Sequence, residues 1–448
     1  MGKKKMMIQK IIFIFQYQIL FNQFYCGFPF HYSKIHFISS SNVNRRNKSF
    51  RIPFTKINAA KQQSNLKNTH INNKGFQQHL IWNDEGVTSL SIDKYRNNVC
   101  HVGTKRGKLM TIQWENNMSL IYNPNIHKFN HYSIKYHPPN NANTKPYPIY
   151  SMAFYSHSKG HLGLACGGGD RYISIWETES NHLNKWNQIS QLGPHTGWVK
   201  DLVMEISTKS HNCMHSIGCN CIETWIYPYQ RNSKYKSNSW NHMMKRTVES
   251  CPLTGSTLSS DLLCLCLYQH DNHYLYAGGV DGRIHQWLDD QLQSTLSFSA
   301  HEGRINVIRI IDHLLISAGH DGHIKCWDIN NISNEYVQQE MAFFYIKDER
   351  ILTMECLYQS SNHLQMIVGT ASGMIYTISI DKNNDGSIYM SLDSTKSIQI
   401  TNEDSSKETN SHSNNSIHSI KVLPSNHTCD KHEVLIAHAN GLTFITNA

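Results

Sequence analysis

Val280-Asp281-Gly282-Arg283-Ile284-His285-Gln286-Trp287 returns 40 residues later as His320-Asp321-Gly322-His323-Ile324-Lys325-Cys326-Trp327. Each copy reads as a strand, a tight Asp-Gly turn and a second strand that ends on Trp. A unit this small cannot bury its own apolar face and has to stack on further copies of itself. Outward from this pair the chain shows short alternating apolar runs bounded by Gly, Asn and Asp, and no long helical pattern. That is an all-β chain.

The two copies resemble the WD40 family of β-propellers, whose unit is a four-stranded blade. The resemblance implies a structural tetrad in each blade. The best copy supplies all four members: His301 before the innermost strand, Ser317 on the second strand, Asp321 in the turn and Trp327 on the third strand. The tetrad is read as a hydrogen-bond chain from indole to hydroxyl to imidazole to carboxylate, tying strands where water is scarce. A catalytic reading of Ser, His and Asp would need an exposed hydroxyl and an oxyanion site.

Other copies are eroded. His195-Thr196-Gly197-Trp198-Val199 opens a blade with Ser216 and Trp225, in which Asn220 replaces Asp and the turn is one residue short. Ile149 to Phe154 opens another, closed by Cys166, Asp170 and Trp176. The blade from Leu262 to Trp287 keeps Asp281 and Trp287 but has Ala277 for Ser and no leading His. Further blades start at Val87, Ile351 and Ile417, with Ile112 and Ile378 in place of Trp in the first two. The expected fold is a single seven-bladed WD40-type propeller over 76–448. Its ring closes when Phe76 to Trp82 supplies the fourth strand of the last blade, removing exposed edges. Polar insertions near 116–147, 228–258 and 382–415 are expected to be loops, the last disordered.

Charge divides the chain. Residues 1–83 hold 13 of the 42 basic residues and none of the 33 acids, so the remainder is slightly acidic. A nucleic-acid ligand therefore has no support from the net charge of +9, because phosphate binding needs a basic face on the folded domain. Lys3 to Lys5 precede an apolar run, Ile11 to Phe21, that is too short and interrupted for a stable membrane span. A basic, Ser-containing stretch follows. Residues 1–27 read as a signal-like segment and 28–75 as a transit-peptide-like, disordered one. Together they resemble the bipartite presequences of nucleus-encoded plastid proteins in algae with complex plastids, with Phe28-Pro29-Phe30 after Cys26-Gly27. The expected location is a plastid or other organelle, otherwise cytoplasm or nucleus.

Twelve cysteines without regular spacing, several inside apolar runs, read as buried small hydrophobes rather than a disulfide framework. The densest cluster of possible metal ligands is His211, Cys213, His215, Cys219 and Cys221. His211, Cys213 and His215 would share one strand face, with a hairpin bringing Cys219 or Cys221 near. The usual C-x2-C spacing is absent, and blade packing is the favoured reading. His270 and His273 form a second pair, read as a solvated turn. No P-loop, G-x-S-x-G, H-E-x-x-H or dinucleotide fingerprint is present.

The family resemblance implies partner binding on the face that carries the turns, where Trp198, Arg304, His320 and Cys219 would lie. Trp and Arg are the residue types that anchor interfaces. The favoured function is a non-enzymatic scaffold for protein–protein interaction that needs no cofactor. The alternatives are a propeller enzyme or metal-binding protein using the channel or segment 211–221, and a subunit of an RNA-processing complex.

Overall fold

In the computed structural model, residues 76–447 are described apart from the segments 83–84, 94–98, 114–129, 135–146, 157–160, 180–185, 206–210, 229–238, 249–260, 270–272, 289–290, 332–339, 361, 384, 394–396, 401–414 and 424–432. The leader, 1–75, lies outside the described residues. Among the described residues the strands form seven antiparallel sheets, and no helix is long and apolar enough to cross a membrane.

Each sheet is one blade. The first comprises Val87–Ile92, Val99–Thr104, Leu109–Gln113 and Asn130–Ile134. The second comprises Ile149–Ser156, His161–Gly168, Ile173–Glu179 and Asn187–Leu192. The third is Val199–Glu205, His211–Gly218, Cys221–Pro228 and Asn241–Thr247. The fourth is Leu262–Gln269, His273–Gly279, Arg283–Leu288 and Leu296–Ser299. The fifth is Ile305–Ile311, Leu314–Gly319, His323–Asp328 and Glu340–Tyr345. The sixth is Ile351–Gln359, His363–Thr370, Met374–Lys382 and Ile388–Leu392, with Ile398–Gln399 as an added edge. The seventh is Ile417–Val422, Glu433–His438 and Gly441–Asn447, completed by Phe76–Trp82. That last pairing aligns Phe76 with Asn447 and His79 with Phe444, closing the ring through the earliest strand.

Why the blades stack is visible in the core. Buried apolar residues form seven clusters, and each spans two neighbouring blades. Val87, Leu90 and Val102 of the first blade, for example, pack on Leu435, Leu442 and Phe444 of the seventh. A blade alone would expose both faces, so burial of apolar area works only around the whole ring. The fit between blades is close. A Cβ on Gly278 would lie 2.7 Å from Ile305 Cγ2, so the second strand of the fourth blade needs a residue without a side chain there. The Asp-Gly turns of the opening repeat have φ of 75° at Gly282 and 76° at Gly322, a conformation that side chains disfavour.

The polar insertions are not loops throughout. Asn130–Ile134, Asn241–Thr247 and Ile388–Leu392 lie inside the three stretches and are the outer strands of their blades. An outer strand contacts few apolar neighbours, so its sequence need not alternate strongly, and polarity hides it.

Candidate functional site

The tetrad residues differ from blade to blade. In the fifth blade His301 Nδ1 faces both Asp321 oxygens at 3.0 Å, His301 Nε2 lies 2.8 Å from Ser317 Oγ, and Trp327 Nε1 donates to Ser317 Oγ at 3.0 Å. Asp321 also accepts the backbone N–H groups of Glu302 and His323. Burial alone would raise the Asp321 carboxyl; His301 and these N–H groups outweigh it and hold it well below the usual range. Ser317 is fully buried, so no substrate reaches its hydroxyl.

In the third blade His195 Nε2 lies 2.8 Å from Ser216 Oγ, to which Trp225 Nε1 donates at 3.0 Å. The carboxylate end is different. Among the described residues no hydrogen bond joins Asn220 to His195, and His195 Nδ1 has no partner. Asn220 therefore does not take the place of Asp. The turn is too short: Gly218 pairs directly with Cys221, and Cys219 bends through φ 55°. Glu223, invisible to the repeat pattern, comes within 3.7 Å of His195 Nε2 instead. In the second blade Cys166 and Trp176 are buried, and Asp170 accepts the Tyr172 N–H at 3.1 Å. In the fourth, Trp287 Nε1 has no hydrogen-bond partner, and Asp281 lies 3.8 Å from His285.

Several exposed groups lie on the turn face. In six blades the turn between second and third strands donates an N–H to the residue just before the first strand. His320 to Arg304, Val280 to Asp261 and Ala371 to Arg350 are examples, at 2.8–2.9 Å. Among the described residues the third blade makes no such bond, and there the pre-strand residue is Trp198. Its indole is 52% exposed and stacks on Tyr150 of the second blade at 5.8 Å. Lys200 Nζ sits 4.0 Å from the Tyr150 ring centroid and 4.6 Å from that of Trp198. Burial first, then the nearby Arg304 cation, lower the Lys200 pKa. Arg304 and Arg350 are exposed, and after burial their charges are what lower His320. Tyr150, Trp198 and Lys200 thus form one aromatic and cationic group, within the electrostatic reach of Arg304.

On the first strands, two carboxylates each bridge three blades. Asp201 accepts hydrogen bonds from Ser151 Oγ, Leu202 N and Leu265 N, joining three blades. Glu355 Oε2 lies 2.6 Å from Lys421 Nζ and 3.6 Å from Arg309 Nη2, joining three more. Burial pushes the Cys100 thiol up to about 12 and that of Cys266 to about 11, so neither is a nucleophile at neutral pH.

The Cys/His segment splits. Cys213 Sγ and His215 Nε2 come within 3.7 Å. Cys219 and Cys221 belong to the turn at the other end of the hairpin, roughly 15 Å away at strand rise. Cys221 Sγ is engaged with Gly218 O and Thr196. The expected convergence of Cys219 or Cys221 on Cys213 does not occur, because strand register separates them. The side chain of His211, and all of His270, lie outside the described residues. His273 does not stand alone in solvent; its Nδ1 is 3.0 Å from Glu205 Oε1 of the adjacent blade.

Comparison with known proteins agrees with this geometry. A family model described as "WD domain, G-beta repeat" matches residues 249–287 and 292–328. The chain is 32% identical over 74 residues to "Guanine nucleotide-exchange factor SEC12" of Mus musculus, covering 16% of this chain and 18% of that protein. It is 25% identical over 206 residues to "p21-activated protein kinase-interacting protein 1-like" of Danio rerio, covering 41% and 52%. The chain thus spans about a fifth to a half of the length of these curated relatives. Among solved structures it resembles the WD40 β-propeller domain of Doa1, with a TM-score of 0.54, 13% identity, and coverage of 83% of this chain and 97% of that one.

Proposed function

Because this chain is a WD40-repeat β-propeller, we propose that it is a non-enzymatic scaffold whose turn face holds an acidic segment of a partner protein. The observation that carries this reading is the exposed Trp198, propped by Tyr150 and Lys200 beside Arg304. A rigid aromatic with a cationic border suits an anchor residue followed by carboxylates. Trp198 stands where the third blade lacks its turn bond, so the surface departs from the repeat at that point. The blade-bridging Asp201 and Glu355 and the raised thiols of Cys100 and Cys266 suit structural roles. The slight acidity of the sequence beyond the leader favours protein over nucleic acid as the direct ligand.

Affinity purification of the full chain with mass spectrometry tests the reading. A stoichiometric protein partner should be recovered, and Trp198→Ala together with Arg304→Glu should lose it without changing the melting temperature. Unchanged recovery with the double variant sinks the assignment of this face.

The proposal extends to location. An acid-free, basic stretch over 1–75 supports import into a plastid or other organelle. A fluorescent reporter fused to residues 1–80 and imaged in the source cell tests it; a diffuse cytoplasmic signal counts against import.

A further inference from the structure

Glu205, Cys213 and His215 present three donor atoms that all lie within 4.8 Å of one another, and all three residues are buried. Glu205 is the last residue of its strand and pairs directly with Cys213 across the sheet. His215, two residues on, projects to the same face as Cys213. The site lies between the third and fourth blades, at the end of the strands away from the turn face. From the fourth blade His273 brings a further nitrogen to Glu205 at 3.0 Å.

We propose that Glu205, Cys213, His215 and His273 form a zinc site that clamps the third blade to the fourth. The donor set is one thiol, two imidazoles and one carboxylate, which is zinc chemistry; calcium and magnesium take oxygen ligands instead. Tetrahedral zinc with its usual bond lengths places ligand atoms about 3.3–3.6 Å apart. Cys213 Sγ and Glu205 Oε2 each lie 3.7 Å from His215 Nε2. A contraction of a few tenths of an ångström brings these two pairs to that spacing, and His273, which among the described residues meets only Glu205, has to turn toward the other donors to complete the tetrahedron.

The surroundings hold the imidazole in the matching orientation. His215 Nδ1 is 3.0 Å from Thr224 Oγ1, which also accepts a hydrogen bond from Arg246 Nη1 at 2.6 Å. With Nδ1 committed to Thr224, Nε2 is the nitrogen that faces Glu205 and Cys213. Metal-bound histidines are oriented by such outer partners. A thiol hydrogen bond and an ion pair would account for these contacts one at a time; a metal ion accounts for three different donor types converging on one point. The exposed His273 supplies an entry path from solvent.

The test uses the full chain, purified without chelators and titrated with zinc and with cobalt. One zinc per chain is expected, released by a chelator with a fall in melting temperature, since a ligand of the native state alone stabilises it. Cobalt should give the visible absorption of a tetrahedral centre and a thiolate charge-transfer band. His273→Ala alters an exposed side chain and leaves the core packing alone. It should weaken zinc by at least about tenfold, the loss that even outer partners of metal ligands cause. Cys213→Ser should abolish the charge-transfer band. Absence of stoichiometric zinc overturns the proposal and leaves an ion pair. So does zinc held equally by both variants, which would place the metal elsewhere in this histidine-rich chain.

Discussion

Asp281 and His285 face each other at 3.8 Å, four residues apart on one hairpin, inside the blade that lacks a leading histidine. In the fifth blade the carboxylate is met by His301, which arrives from outside the hairpin. The fourth blade thus answers its turn carboxylate locally. What it does not answer is its tryptophan. Trp287 is fully buried with an unpaired indole N–H, whereas Trp327 donates to Ser317. Losing hydroxyl and imidazole together did not remove the need for a partner; it moved the shortfall onto the indole and onto His285, whose two ring nitrogens also lack hydrogen bonds.

Restoring that partner should stabilise the protein. Ala277 stands four residues before Asp281, as Ser317 stands before Asp321. Ala277→Ser is expected to raise the unfolding free energy by about 1 kcal/mol, the net value of a typical buried hydrogen bond. Equilibrium denaturation measures it. A loss of stability would show that there is no room for an oxygen beside Trp287.

The converse change in the fifth blade should be more harmful. Ser317→Ala leaves Trp327 Nε1 and His301 Nε2 both without partners in a buried site. The expected loss is about 1–3 kcal/mol. Denaturant titration gives the value, and partner recovery should be unchanged, because Ser317 is remote from Trp198.

Acid should act through His438. Burial first, then the neighbouring His418, lower its pKa from 6.5 to about 4. Its Nε2 lies 3.0 Å from Thr443 Oγ1, and Nδ1 is unpaired. The unfolded chain takes up this proton near pH 6.5 and the folded one near 4, so between them the unfolded state binds more protons. The His438 contribution is complete above pH 6.5 and is lost as pH falls to about 4. Melting temperature should drop across that window in the native sequence and drop less in His438→Gln. Parallel pH profiles for the two would rule out this residue as the source.

Ring closure predicts long-range consequences for the first strand. Phe76–Trp82 pairs along its length with Gly441–Asn447. Removing residues 76–82 uncovers an edge and loosens the closing blade, so the whole domain, not one blade, should melt earlier. Differential scanning calorimetry checks this, and an unchanged transition would show that the ring holds without closure.

The repeat of Asp-Gly followed by Trp was enough to determine the all-β class and the stacking of blades, while the hydrogen bonding of the fifth blade was what the family resemblance implied. These depend on local turn chemistry and on period, which are written in neighbouring residues. Outer strands such as Asn241–Thr247 were hidden in polar sequence, because a strand bonded along one edge to its blade needs little apolar patterning. Glu223 beside His195, and His285 beside Asp281, carry no repeat signal.

The tertiary structure alone decided which chemical groups meet. The ligand-rich run from His211 to Cys221 suggested one cluster, and strand register broke it by sending Cys219 and Cys221 to the opposite end of the hairpin. The same register set Cys213 against Glu205, and blade packing added His273, 68 residues from Glu205 in sequence. Trp198 gained Tyr150 and Lys200 in the same way. Periodicity tells which way a side chain faces within its own sheet, but only the closing of the ring determines what it faces in the next.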